Sequence, residues 1–182
     1  AVVAKLTGGS RTGSGTMASG AGSLNFVAET IRIDGVEITV DWQNLTSSER
    51  DILNGVTSTS TTQQAAKDLI VKKINEAIDA SGLNVAHISA YVDSSGRLVL
   101  QSGSKGTNSK IEFVGNTNSV LYGGLMGAGG GVATNGTSTY NGSSISSGTL
   151  FKMNINGIDL EVSLSGDIDT SDPMTNVAAI LQ

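Results

Sequence analysis

The chain has 182 residues, of which 38% are apolar, 4% aromatic and 15% charged, with 24 Gly, one Pro, no Cys and a formal net charge of −5. That balance lacks the clustered Lys and Arg that release counterions from a phosphate backbone, so nucleic acid is not an expected partner. Without Cys there is no disulfide scaffold, thiol catalysis or cysteine-based zinc site; no apolar run approaches the roughly 18 residues of a membrane helix; and no export signal opens a chain whose first residue is not Met, as in an excised segment.

Residues 1–25 hold an apolar stretch, Ala1-Val2-Val3-Ala4-Lys5-Leu6, and then a Gly/Ser/Thr run, read as one edge strand and a loop. From Phe26 to Trp42 the sequence alternates. Ile31, Ile33, Val36, Ile38 and Val40 fall on one face, continued by Trp42, with Arg32, Glu37, Thr39 and Asp41 on the other. Asp34-Gly35 joins the two halves, and both residues tolerate the positive φ of a type I′ hairpin turn. Beyond a polar stretch, Ala66, Leu69, Ile70, Ile74, Ala77 and Ile78 recur at helical spacing, with Lys67, Lys72, Lys73, Glu76 and Asp79 outward and Gly82 as the stop. Asn84 to Val92, Arg97 to Gln101 and Lys110 to Val114 read as further strands, the first two joined by an Asp93-Ser94-Ser95-Gly96 turn.

The same hairpin pattern returns as Met153-x-Ile155-Asn156-Gly157-Ile158-x-Leu160-x-Val162, at an offset of 122 (156 − 34). It is followed by an Asp/Ser/Thr turn, Pro173 near a helix N-terminus, and the apolar start Met174 to Leu181. The expected fold class is therefore α+β and β-rich: repeated hairpin-helix-strand (ββαβββ) units with antiparallel sheets and one amphipathic helix per unit. The expected organisation is an N-terminal edge strand and loop at 1–25, a first unit at 26–126, a Gly/Ser-rich linker or loop at 127–148, and a second, incomplete unit at 149–182.

Chemistry-bearing residues are sparse, and each has a simpler reading. His87, the one histidine, has neither the paired nucleophile and acid of a triad nor enough companions for a metal, and is read as a histidine on a strand's polar face. Asp167, Asp169 and Asp172 form the densest acidic cluster but lack the Gly and bidentate Glu of a calcium loop, so they are read as a solvated turn before a helix. Gly127-Ala128-Gly129-Gly130-Gly131 is not followed by the Lys-Ser/Thr of a phosphate cradle and is read as linker. Glu29 and Glu37 are read as solvated strand positions rather than glycosidase carboxylates, because the chain has one Trp and three Tyr for sugar platforms. Asn44-Leu45-Thr46, Asn135-Gly136-Thr137 and Asn141-Gly142-Ser143 match the N-glycosylation acceptor, as chance allows in so Ser/Thr/Asn-rich a chain. No HExxH or nucleophile-base set is present. Accordingly no catalytic, metal or cofactor-binding residue is assigned, and the expected class is non-enzymatic.

Taken in order, the apolar-Asp/Asn-Gly-apolar hairpin, a Ser/Thr-rich link, a helix with Ile74-Asn75-x-Ala77-Ile78, Gly82-Leu83-Asn84-Val85-x-Ala, and Gly96-Arg97-Leu98-Val99-Leu100 resemble the flagellin IN motif of bacterial flagellins and flagellar hook-associated proteins. The resemblance covers about residues 30–114, with part of another unit at 150–182, where Asn154-Ile155-Asn156-Gly157-Ile158 is similar to the motif's core. It implies a central, variable outer domain of the extracellular flagellar filament, a structural role in filament architecture, motility and surface properties, and neighbouring flagellin subunits as partners. Ser/Thr O-glycosylation is a further implication. The long terminal helices through which such subunits polymerise have no counterpart here, so the expected segment is soluble, filament-incompetent and monomeric in isolation.

Two rivals remain. A glycan- or host-surface-binding adhesin module, with host receptor or antibody contacts, would be favoured by an exposed Trp42 or a platform of Tyr91, Tyr122 and Tyr140 and weakened by burial of Trp42. The other is the outer domain of a filament cap or hook-filament junction protein. In either assignment, open hairpin edges invite strand addition between neighbours.

Overall fold

The computed structural model describes residues 2–8, 17, 23–127, 132–134, 150–155 and 158–163. The chain divides into a larger unit, Val2–Gly136, and a smaller one that contains the second hairpin. In chain order the larger unit holds β1 (Lys5–Thr7), β2 (Glu29–Ile33), β3 (Val36–Val40), α1 (Ser47–Asn54), α2 (Ser60–Ser81), β4 (Ser89–Val92), β5 (Leu98–Gln101), β6 (Ile111–Phe113) and β7 (Val132–Thr134). The smaller unit holds β8 (Leu150–Ile155) and β9 (Ile158–Ser163). Helices and antiparallel sheets together make the fold α+β.

The β2–β3 hairpin forms where the alternation places it. Its strands pair with Ile33 opposite Val36 and Ile31 opposite Ile38. Asp34 and Gly35 lie between them at φ 52° and 86°, the left-handed region that a type I′ turn requires at both positions. The Asp34 carboxylate fixes the turn by accepting from Ser102 Oγ at 2.9 Å and from the Lys110 backbone N–H at 2.9 Å. On the outer face Arg32 bridges Glu37 and Glu112, its cross-strand neighbours, at 2.7 and 2.9 Å. Hydrogen bonding to Glu37, then Glu112, raises the Arg32 pKa.

The strands of residues 26–114 fall in two sheets, β3-β2-β6 in one and β4-β5, extended by β1 and β7, in the other. Three features differ from the sequence reading. The N-terminal strand is not an edge, because β1 sits between β5 and β7 and pairs antiparallel with both. Part of the Gly-rich 127–148 stretch is strand β7 rather than linker. Finally, the polar stretch after Trp42 contains a second α-helix, α1, so the described residues of this unit hold two α-helices instead of one. Thr46 starts α1 with a capping box, its Oγ1 accepting from the Glu49 N–H while the Glu49 carboxylate accepts from the Thr46 N–H.

Helix α2 buries Ala66, Leu69, Ile70, Ile74 and Ile78 along one stripe and leaves Ala77 half-buried beside it. It ends at Gly82, whose φ of 66° suits the C-terminal position where a side chain would be strained. That stripe packs with Ile31, Ile33, Ile38, Trp42, Leu53, Leu98, Leu100, Ile111 and Leu121 in one aliphatic core. The strand expected from Asn84 starts only at Ser89. Just before it, Asn75 on α2 takes the place of a neighbouring strand: Nδ2 donates to the Ile88 carbonyl at 3.1 Å, and the Ile88 N–H donates to Oδ1 at 2.8 Å. Asn75→Ala should therefore destabilise the unit by about 2 kcal/mol, from two lost bonds and an unpaired backbone pair. Urea unfolding and amide exchange at Ile88 measure this; a loss below about 0.5 kcal/mol with Ile88 still protected would contradict it.

In the smaller unit, β8 and β9 pair with Ile155 opposite Ile158 and Met153 opposite Leu160. This is the register of β2–β3 carried forward by 122 positions (153 − 31). The intervening Asn156-Gly157 and the expected second helix at 174–181 lie outside the described residues.

Candidate functional site

The most unusual chemical group in the larger unit is Glu29, which the alternation places on the same face of β2 as Ile31 and Ile33. It is not solvated, as expected from the sequence, but 4% exposed. One oxygen accepts from Trp42 Nε1 at 2.9 Å and from the Leu121 N–H at 3.2 Å; the other accepts from the Tyr122 N–H at 2.6 Å. Burial pushes the Glu29 pKa up, against the opposing pull of the Tyr122, Leu121 and Trp42 donors. Trp42, at 0% exposure, fills the core beside it.

These contacts explain what the carboxylate does locally. Residues Leu121–Leu125 make a tight, irregular turn with Gly123 at φ 67°, and its first amides have no strand partner. Glu29 supplies the acceptor and fastens the turn to the β2–β3 hairpin. Ser119 adds a second tie through Oγ to the Val27 carbonyl at 2.8 Å. At the same offset of 122, the second hairpin carries Phe151 and Leu164 where the first carries Glu29 and Trp42, so both members of the polar pair are apolar there. The hairpin pattern therefore does not itself call for a carboxylate; the turn at 121–125 does.

A cavity of about 80 Å³ adjoins Glu29, lined also by Thr30, Phe113, Thr117 and Tyr122. Tyr122 and Phe113 meet edge to face, with ring centroids 5.5 Å apart. Apart from Glu29 and Tyr122 its lining has no ionisable group, so there is no second carboxylate, histidine or cation to share acid–base work. Glu37 cannot serve, because it stands opposite Arg32 on the other face of the sheet from Glu29.

The remaining sequence candidates are scattered. His87 precedes β4 instead of lying on a strand, and it is exposed and joined to Asp79 at 2.6 Å. Tyr91 is 37% exposed beneath the Lys5 ammonium, 5.5 Å from its ring centroid, whereas Tyr122 is turned toward Phe113. With Trp42 buried, these residues do not form a shared aromatic platform. Asn44 is exposed, its Nδ2 donating to Asp41 at 2.6 Å. Asn135, Tyr140, Asn141, Asp167, Asp169, Asp172 and the glycine run from 128 to 131 lie outside the described residues. Among the described residues, no group of three His, Cys, Asp or Glu is placed to hold a metal, and no helix is long and apolar enough to cross a membrane.

A second charged cluster joins the two helices. Glu49 on α1 meets Lys73 on α2 at 2.9 Å. The Thr46 N–H, followed by Lys73, lowers the Glu49 pKa to about 2, and Glu49 raises that of Lys73. Because the folded value lies below the unfolded one of about 4.5, this contribution to stability is full above pH 4.5 and is lost as pH falls through about 2. Glu49→Gln, which keeps an acceptor for the cap, should flatten the acid limb of the stability profile between those values. An unchanged slope in urea titrations at pH 2 to 5 would count against this ion pair. Compared with family models, curated proteins and solved structures, the chain matches none.

Proposed function

We propose that this chain is a non-enzymatic structural domain, displayed as an outer domain of a bacterial flagellar filament subunit of the flagellin kind. The observation that carries the reading is the order of parts. A type I′ hairpin is followed by a helix whose Ile74 enters the core and whose Asn75 clasps Ile88, then by the Gly82 stop and strand β5. The shared register of β2–β3 and β8–β9 supports a repeated hairpin as the organising plan. In this reading the aliphatic core gives a rigid body. The acidic, Ser/Thr/Gly-rich surface keeps the domain soluble outside the cell, and neighbouring subunits, antibodies or host receptors meet its loops. Burial of Trp42 removes one support for the rival glycan-binding reading.

Deleting this segment from its parent gene tests the proposal. Cells should still assemble filaments, because polymerisation belongs to other parts of the subunit, and those filaments should be thinner by electron microscopy. Loss of filaments, or filaments of unchanged width, would overturn it.

A further inference from the structure

The geometry points to a peptide-binding groove between the open edge of β3 and helix α2, built to accept an extended, basic segment of another protein as an added strand. This inference rests on the groove alone and is independent of the filament reading.

The groove has a volume of about 570 Å³. One wall is β3 and its continuation, with Glu37, Thr39 and Asp41; the other is α2, with Lys73, Glu76, Ala77 and Ala80. β3 is the outer strand of its sheet. In a hairpin with a two-residue loop, the residues flanking the loop form a hydrogen-bonded pair, and such pairs alternate along the ladder. Val36, Ile38 and Val40 therefore direct N–H and C=O toward β2, while Glu37 and Thr39 direct theirs away, on the side of the strand that has no partner among the described residues. Small side chains at Ala77 and Ala80 leave room on the helix wall for alternate side chains of an incoming strand. A segment matching the five residues of β3 would span about 17 Å.

Charge selects the occupant. Three carboxylates and one ammonium line the groove: Glu37, Asp41 and Glu76 against Lys73. Including ion-pair partners, five carboxylates (adding Glu49 and Glu112) meet three cations (adding Arg32 and Lys72). Asp41 is held only by neutral donors, the Gln43 N–H and Asn44 Nδ2. A second copy of β3 is a poor occupant: antiparallel pairing centred on Thr39 would set Glu37 of one copy opposite Asp41 of the other, and directly opposed like charges destabilise a sheet. A strand with Lys or Arg at alternate positions meets those carboxylates instead.

The test uses the full 182-residue chain, labelled for NMR, and a blocked eight-residue peptide alternating Lys with Val and Thr. One control peptide has Glu in place of Lys; another keeps Lys but is N-methylated at alternate amides, which preserves charge and prevents strand pairing. The expected result is amide shifts centred on Glu37, Thr39, Ala77 and Ala80, with both controls binding at least about tenfold more weakly, and with Glu37→Lys shifting preference toward the Glu peptide. Equal binding of the N-methylated peptide, shifts centred elsewhere, no shift at millimolar peptide, or self-association of the chain through β3 would overturn the proposal.

Discussion

Trp42→Ala is expected to destabilise the larger unit by about 3–5 kcal/mol, the range for emptying a fully buried aromatic site. Trp42 is 0% exposed and belongs to the core shared by both sheets and both helices, so removing its ring leaves a buried cavity. Part of the loss is polar: removing Nε1 takes one donor from the Glu29 carboxylate, 2.9 Å away. Trp42→Phe separates the terms, retaining most of the packing and losing the donor, and should cost about 1–2 kcal/mol. Urea unfolding followed by circular dichroism reads both. A loss below about 1 kcal/mol for the alanine variant would mean that the core tolerates the hole and that this account of it is wrong.

Glu29→Leu should cost about 3 kcal/mol, because the Trp42, Leu121 and Tyr122 N–H groups lose their acceptor together, at about 1–3 kcal/mol each, offset by removal of a desolvated charge. Its pH dependence gives the sign of the burial effect. The folded pKa of Glu29 is raised above the unfolded value of about 4.5, so its titration contributes stability that is full below pH 4.5 and is lost as pH rises through the folded value. The penalty of Glu29→Leu should therefore be larger at pH 4.5 than at pH 7. Equal penalties at both pH values would show that Glu29 titrates as it does in the unfolded chain. Amide exchange at Leu121 and Tyr122 should accelerate in the variant, since these groups are fastened by the carboxylate and not by a strand.

Local signals decide how much of this fold is legible in the sequence. The β2–β3 hairpin, its turn and the stripe of α2 follow from periodicities of two and 3.6 and from Asp34-Gly35 and Gly82, all contained within a few residues. Helix α1 was legible too: Thr46-Ser47-Ser48-Glu49 is a capping-box sequence, obscured by the polar run it opens, Ser47 to Asp51. Division into two sheets was not, because a strand of three residues such as β1 carries no information about partners such as Leu100, almost a full unit away. Glu29 shows both cases. Its spacing from Ile31 and Ile33 placed it on the core face, and Trp42 likewise follows Val40, so their meeting could have been read from alternation. Its other donors lie in the turn at 121–125, which has no periodicity to announce them.

The central claim, that this chain is an outer domain of an extracellular filament, is tested most directly by immunogold labelling of the parent cells with antibody raised against residues 1–182. Regular labelling along the filament shaft is the result this account predicts. Labelling confined to the filament tip or hook junction would contradict it in favour of a cap or junction protein, and cells with unlabelled flagella would contradict the filament assignment altogether.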